Sequence, residues 1–118
     1  MKGSMSKLGC PYEQYKSLLE ESDYILDIYE RSRTDESKYP LGFMKYVYER
    51  LLRSINGFVN KAGILQSQLS HFDPSIRLRS SAIDGDFSIP CGEALQKLHK
   101  SIGRLEGYRD KIDTLIHK

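Results

Sequence analysis

The stretch LGFMKYVYERLLRSINGFVNKAGILQSQLSHF, residues 41–72, decides the fold. Within it Met44, Tyr48, Leu51, Ile55, Phe58, Ala62, Leu65, Leu69 and Phe72 recur at alternating steps of four and three without a break. A helix turns once every 3.6 residues, so this spacing gathers all nine side chains on one face, and the seven-residue rhythm favours shallow left-handed packing against neighbouring helices. Met44 to Phe72 then forms a rod roughly 40 Å long at 1.5 Å per residue. Pro40 sets its start. Asp73-Pro74 sets its end, because a residue preceding proline is pushed out of helical angles. Asn56-Gly57 is a hairpin signal when strands flank it. Here the rhythm runs straight through, and Gly57 and Gly63 each cost about 1 kcal/mol relative to alanine.

Val47, Leu52 and Val59 widen the stripe in its first half, which predicts contact there with two other helices. The second half is narrower and flanked by Lys61, Gln66 and Gln68. Leu65, Leu69 and Phe72 are therefore expected to meet one partner helix or a second copy of the chain, and they are the candidate partner-binding residues.

Upstream, Pro11 starts a first helix over about 11–33, since proline at the first helical position loses no hydrogen bond. Tyr12, Tyr15, Leu18, Leu19, Ile25, Leu26 and Tyr29 form its apolar face, interrupted by Ser22, and a polar run over 32–38 forms the loop that follows. Downstream, Leu95, Leu98, Ile102, Leu105, Ile112 and Ile116 define a third helix over about 92–117, with Arg109 standing in the seam. A charged residue there fixes register or partner, or carries its head out to water.

Between them, Asp73 caps and Pro74 opens an expected short fourth helix over about 74–83. The alternation across 75–79 also fits a brief extended piece; the helix is preferred. Asp84-Gly85-Asp86 reads as a turn, with Phe87 and Ile89 pinning the next loop to the core. The predicted fold is all-α: an elongated antiparallel up-down-up bundle of three long helices with that short fourth segment. Residues 1–9 are small and polar and are set aside as a disordered tail or cloning remnant, leaving one domain over 10–118.

Composition narrows the function classes. A chain of 118 residues with 39 % hydrophobic content builds one core without metals or many disulfides. No apolar run reaches membrane-spanning length and no secretory signal opens the chain, so no membrane partner and a cytoplasmic location are expected. Cys10 and Cys91 begin helices one and three at the same end of the bundle, where a bridge would close a loop of about 80 residues. In a reducing compartment both are expected as free thiols.

His71, His99 and His117 are scattered and no Cys-x-x-Cys occurs, so no metal is expected. A calcium loop opening at Asp84 would need glycine at 89 and glutamate at 95, where Ile89 and Leu95 stand. No nucleophile elbow, phosphate-cradling glycine loop or His-Glu-x-x-His helix is present. The expectation is a protein that is not an enzyme and uses no cofactor.

Charge and tyrosine remain. Residues 12–30 carry six acids against Lys16, whereas residues 41–72 carry four bases against Glu49. Helix one is acidic and helix two basic. Tyr46, Arg50, Arg53 and Lys61 align on the outer side of helix two, and Lys97, Lys100, Arg104 and Lys111 align on helix three. Ordinary solvated faces explain such stripes. An alternative reading joins Tyr46, Arg50, Arg53, Lys61, Lys97, Lys100 and Arg104 into one nucleic-acid-binding surface, with Tyr46 stacking on an unpaired base. Eight tyrosines without tryptophan also suit an interface, as do Gly103 and Gly107 if helices approach closely there. The leading expectation is a protein-interaction or assembly module, self-associating through the second half of helix two.

Overall fold

The computed structural model describes residues 10–80 and 88–117. The expected tail at 1–9 and the turn at 84–86 with Phe87 lie outside them. Three helices pack against one another: α1 (Pro11–Asp35), α2 (Leu41–Leu69) and α3 (Cys91–Ile116). A 3-10 turn (Glu36–Lys38) follows α1, and a small antiparallel sheet of β1 (Arg77–Arg79) and β2 (Ser88–Pro90) precedes α3. The molecule measures 48 × 26 × 24 Å.

Prolines set all three helix starts. Pro11 occupies the first turn of α1, while Pro40 and Pro90 stand extended immediately before α2 and α3. No side chain caps any of these N-termini; Glu13 and Glu93 place negative charge in the first turns of α1 and α3, where the helix dipole favours it. Helix α2 continues unbroken through Gly57 and Gly63, as its rhythm predicts. It ends at Leu69 rather than 72, because the Phe72 N–H bonds back three residues to the Leu69 carbonyl at 3.0 Å, tightening the chain ahead of Asp73-Pro74.

The short helix expected over 74–83 is replaced by a turn and a strand as far as residue 80, and its remainder lies outside the described residues. Asp73 Oδ1 accepts the Ser75 N–H at 2.9 Å and the Ser75 hydroxyl at 2.7 Å, a side-chain turn that competes with helix. The chain then extends, and Leu78 pairs opposite Ile89, both buried, while Arg77 and Arg79 face solvent. Period two wins over period 3.6 here, since one apolar residue in three suffices to anchor a strand. This segment also supplies the cap that α3 lacks. The Ile76 carbonyl accepts the Cys91 N–H at 2.7 Å and the Pro74 carbonyl accepts the Gly92 N–H at 2.9 Å. Pro74 comes so close that a side chain on Gly92 would start 3.0 Å from Pro74 Cβ.

Partners across the helices run in opposite order. Cys91 Sγ on α3 donates to the Leu69 carbonyl at 3.3 Å, and Arg109, farther along α3, donates to Asn56, farther back on α2, at 3.1 Å. Glu21 in mid-α1 pairs with Lys61 on α2. The core is centred on Ile55, Phe58, Ala62, Leu69, Leu98, Leu105 and Ile112, all without solvent exposure. Eight of the nine residues of the α2 rhythm are buried; Phe72, past the helix end, is the exposed one.

Candidate interaction surface

The polar run after α1 ends in Tyr39-Pro40, both extended, and this backbone delivers Tyr39, Leu41 and Phe43 to solvent at one end of the bundle. Leu41 is 81 % exposed, the highest value among the large apolar side chains of the described residues. Tyr39 and Phe43 hold each other at 5.2 Å between ring centres. Beneath them an open cavity of about 300 Å³ separates α1 from α2. Ile28, Met44 and Val47 line it with the two rings, and Arg31, Ser32 and Asp35 form its polar lip.

Charges on this lip cancel locally. Arg31 pairs with Asp27, and Asp35 with Lys38 at 3.4 Å; Arg33, paired with Glu36 at 3.1 Å, lines a separate groove with Tyr29 and Lys111. Exposed pairs of this kind add little stability. They do leave an apolar mouth inside a rim of compensated charge.

The residues predicted from sequence to bind a partner fall elsewhere. Leu65 and Leu69 are buried inside the chain against α3, which corrects the expectation that these two stand spare for a partner; on the same half of α2, Ile64 is exposed. Phe72 is exposed, with Ile76 also exposed on the same connection. The groove beside this half of α2, about 380 Å³, is lined by Gln66, Gln96, His99 and Lys100 with Leu95 as its one apolar side chain.

The basic residues of α2 and α3 have different neighbours. Lys61 bonds Glu21 at 2.7 Å on one flank of α1. Lys97, Lys100 and Arg104 line a groove of about 190 Å³ with Leu19, Asp23 and Ser101 on the other flank. Lys61 is thus drawn to the acidic α1, while Lys100 also lines the groove that Gln66 of α2 borders. Tyr46 is engaged by Arg50, which donates to its hydroxyl at 2.9 Å and sits 5.7 Å from its ring centre, and Lys97 lies 3.8 Å from Glu93. Arg53, Lys100 and Arg104 have no ion-pair partner among the described residues.

Cys10 and Cys91 are free thiols, with Cys10 Sγ 3.6 Å from the Arg79 carbonyl. Burial pushes the Cys91 thiol up, so it stays protonated and unreactive. Among the described residues no three His, Cys, Asp or Glu side chains gather as a metal site, and no helix is long and apolar enough to cross a membrane.

Sequence periodicity passes over Tyr39, Leu41 and Phe43 because it selects side chains that share a helical face. Their signal is crowding: three large apolar residues within five positions, directly after a seven-residue polar run and ahead of the buried rhythm. No protein-family model matches this chain, and neither curated proteins nor solved structures give a match.

Proposed function

We propose that this chain is a non-catalytic protein-interaction or assembly module, an antiparallel up-down-up bundle that docks through the end where α1 turns into α2. One observation carries the reading: Tyr39 and Phe43, both about half exposed, wall an open cavity between α1 and α2, and Leu41 stands in solvent at the same end. The apolar rhythm of α2, by contrast, is consumed inside the fold. Clustered exposed apolar side chains in a polar rim mark interaction sites, and an aromatic or aliphatic anchor entering a pocket supplies most of the energy at such sites.

The experiment is affinity capture from lysate of the source cells with the wild-type chain and with Phe43→Asp. The reading expects a protein partner lost in the variant and kept in Arg53→Glu/Lys100→Glu. Capture that ignores Phe43 overturns it.

The unpaired Arg53, Lys100 and Arg104 favour a second reading, a nucleic-acid-binding accessory protein. That reading expects affinity for single-stranded nucleic acid to fall steeply with added salt, and to be lost in Arg53→Glu/Lys100→Glu while Phe43→Asp retains it.

A further inference from the structure

Resting on the nucleic-acid reading above, we infer that its contact surface is the outer crest of α3, where Lys97, Lys100, Arg104 and Lys111 form a track for the phosphate backbone of a single strand. At about 100° per residue the four bases fall within an arc of about 60°, and from first to last they span about 21 Å of helix. All four are exposed. Lys100 borders both the groove toward α1 and the groove toward α2, which places the arc on the crest between them. Of the acids on α3, only Glu93 shares the arc, 3.8 Å from Lys97, whereas Glu106, Asp110 and Asp113 stand at least about 80° away round the helix. Lys100, Arg104 and Lys111 have no acid at ion-pair distance among the described residues. Sidedness thus gives α3 a field that the net charge of +2 conceals.

Shape selects a linear ligand. Bases spread along the helix cannot converge on one small anion, while a nucleotide chain rising about 3.4 Å per residue sets about six phosphates along the same length. Gly103 and Gly107 border the stripe with open space where a side chain would begin, so the crest is bare there and a backbone can lie close to it.

Charge on the flanks selects one strand over two. Helix α1 brings Asp23 to the edge of the groove that Lys97, Lys100 and Arg104 line, and residues 12–30 carry six acids against Lys16. Packed helices lie about 8–10 Å apart, and the major groove of a duplex alone is about 12 Å wide. A duplex therefore overhangs the track, toward the acids of α1 on one side or toward Glu106 and Asp110 on the other. A single strand stays on α3.

Fluorescence anisotropy with labelled oligothymidine, labelled oligoadenine and a duplex of equal length tests this on the whole chain. The expected result is equal binding of the two single strands, since phosphate contacts carry no sequence information, and weaker binding of the duplex. With four phosphates engaged, affinity falls about fifty-fold between about 50 and 200 mM salt, and Lys100→Ala, Arg104→Ala or Lys111→Ala each flattens the logarithmic slope by about 0.7. Lys100→Glu/Arg104→Glu abolishes binding with helix content unchanged, because both side chains are exposed. Arg53→Glu on α2 and Phe43→Asp bind like wild type. Strand binding that survives Lys100→Glu/Arg104→Glu, or that Arg53→Glu abolishes, overturns the α3 track while the nucleic-acid reading stands. A duplex that binds more tightly than the single strands, or a flat salt dependence, overturns the track as well. A chain that binds no strand at low salt overturns both.

Discussion

Arg109 on α3 donates from Nη1 to Asn56 Oδ1 on α2 at 3.1 Å, in the seam position where the repeat calls for an apolar side chain. The guanidinium is partly exposed and also lies 3.9 Å from Glu106. The pair fixes the register of two helices with little burial of charge. Arg109→Ala should cost about 1 kcal/mol, a fall of a few degrees in melting temperature followed by circular dichroism. Asn56→Ala alone should match it within a few tenths, and the double variant should cost no more than either, since both remove one bond.

Leu65 and Leu69 separate a buried seam from a docking stripe. Each, truncated to alanine, should lose about 2–5 kcal/mol in urea unfolding, because both are packed with almost no exposure. Phe72→Ala should change stability by under about 0.5 kcal/mol. Near-neutral values at Leu65 and Leu69 would contradict the packing of α2 against α3.

Four helix-interior glycines, Gly57, Gly63, Gly103 and Gly107, have open space where a side chain would begin. Close helix approach does not explain Gly103 and Gly107 within the chain. Alanine at each should add about 0.5–1 kcal/mol through lost freedom of the unfolded chain. The sum over all four should raise the urea midpoint clearly, with no change of slope.

The Tyr48 hydroxyl is buried, and among the described residues no hydrogen bond of ordinary geometry reaches it, although the Arg33 guanidinium acts on it. Tyr48→Phe should be neutral or stabilising by up to about 1 kcal/mol in the same urea assay, since it deletes an unsatisfied polar atom and keeps the ring. Destabilisation by Tyr48→Phe would show instead that the Arg33 guanidinium holds the hydroxyl.

Alkaline pH should weaken the fold. Burial is the leading cause that pushes up Tyr15, Tyr48 and Cys91; Glu93 and then Tyr12 add to it at Tyr15, and Glu36 adds to it at Tyr48 against the opposing Arg33. Each group ionises at its ordinary value when unfolded and higher when folded. Their contribution is thus fully present below the ordinary thiol and phenol range and is lost as pH rises through it toward the folded values. The urea midpoint should fall between about pH 8 and 11, and less steeply in Tyr48→Phe.

The α2 rod was legible because nine residues repeat one rhythm and tertiary contact reinforces it. Pro11 likewise marked the start of α1, and Arg109 was recognised as an oddity although its partner Asn56 was not. The segment after Asp73 was misread because two local signals competed, and the arbiters were distant: Ile89 for Leu78, and the amides of Cys91 and Gly92 for the carbonyls of Ile76 and Pro74. The burial of Leu65 and Leu69 within the chain was not legible for a similar reason. A narrow stripe says how many neighbours a helix needs, and α3 supplies that one neighbour.

The borrowed acceptors at the start of α3 have a consequence for how the molecule assembles. A helix normally nucleates from its own sequence, but the first amides of α3 find their partners some fifteen residues upstream, beyond the small sheet. Nascent α3 thus frays at its beginning until the connection from α2 has folded down over it. Hydrogen–deuterium exchange at Cys91 and Gly92 then reports closure of the β1–β2 latch, separately from the slower opening of the rod itself.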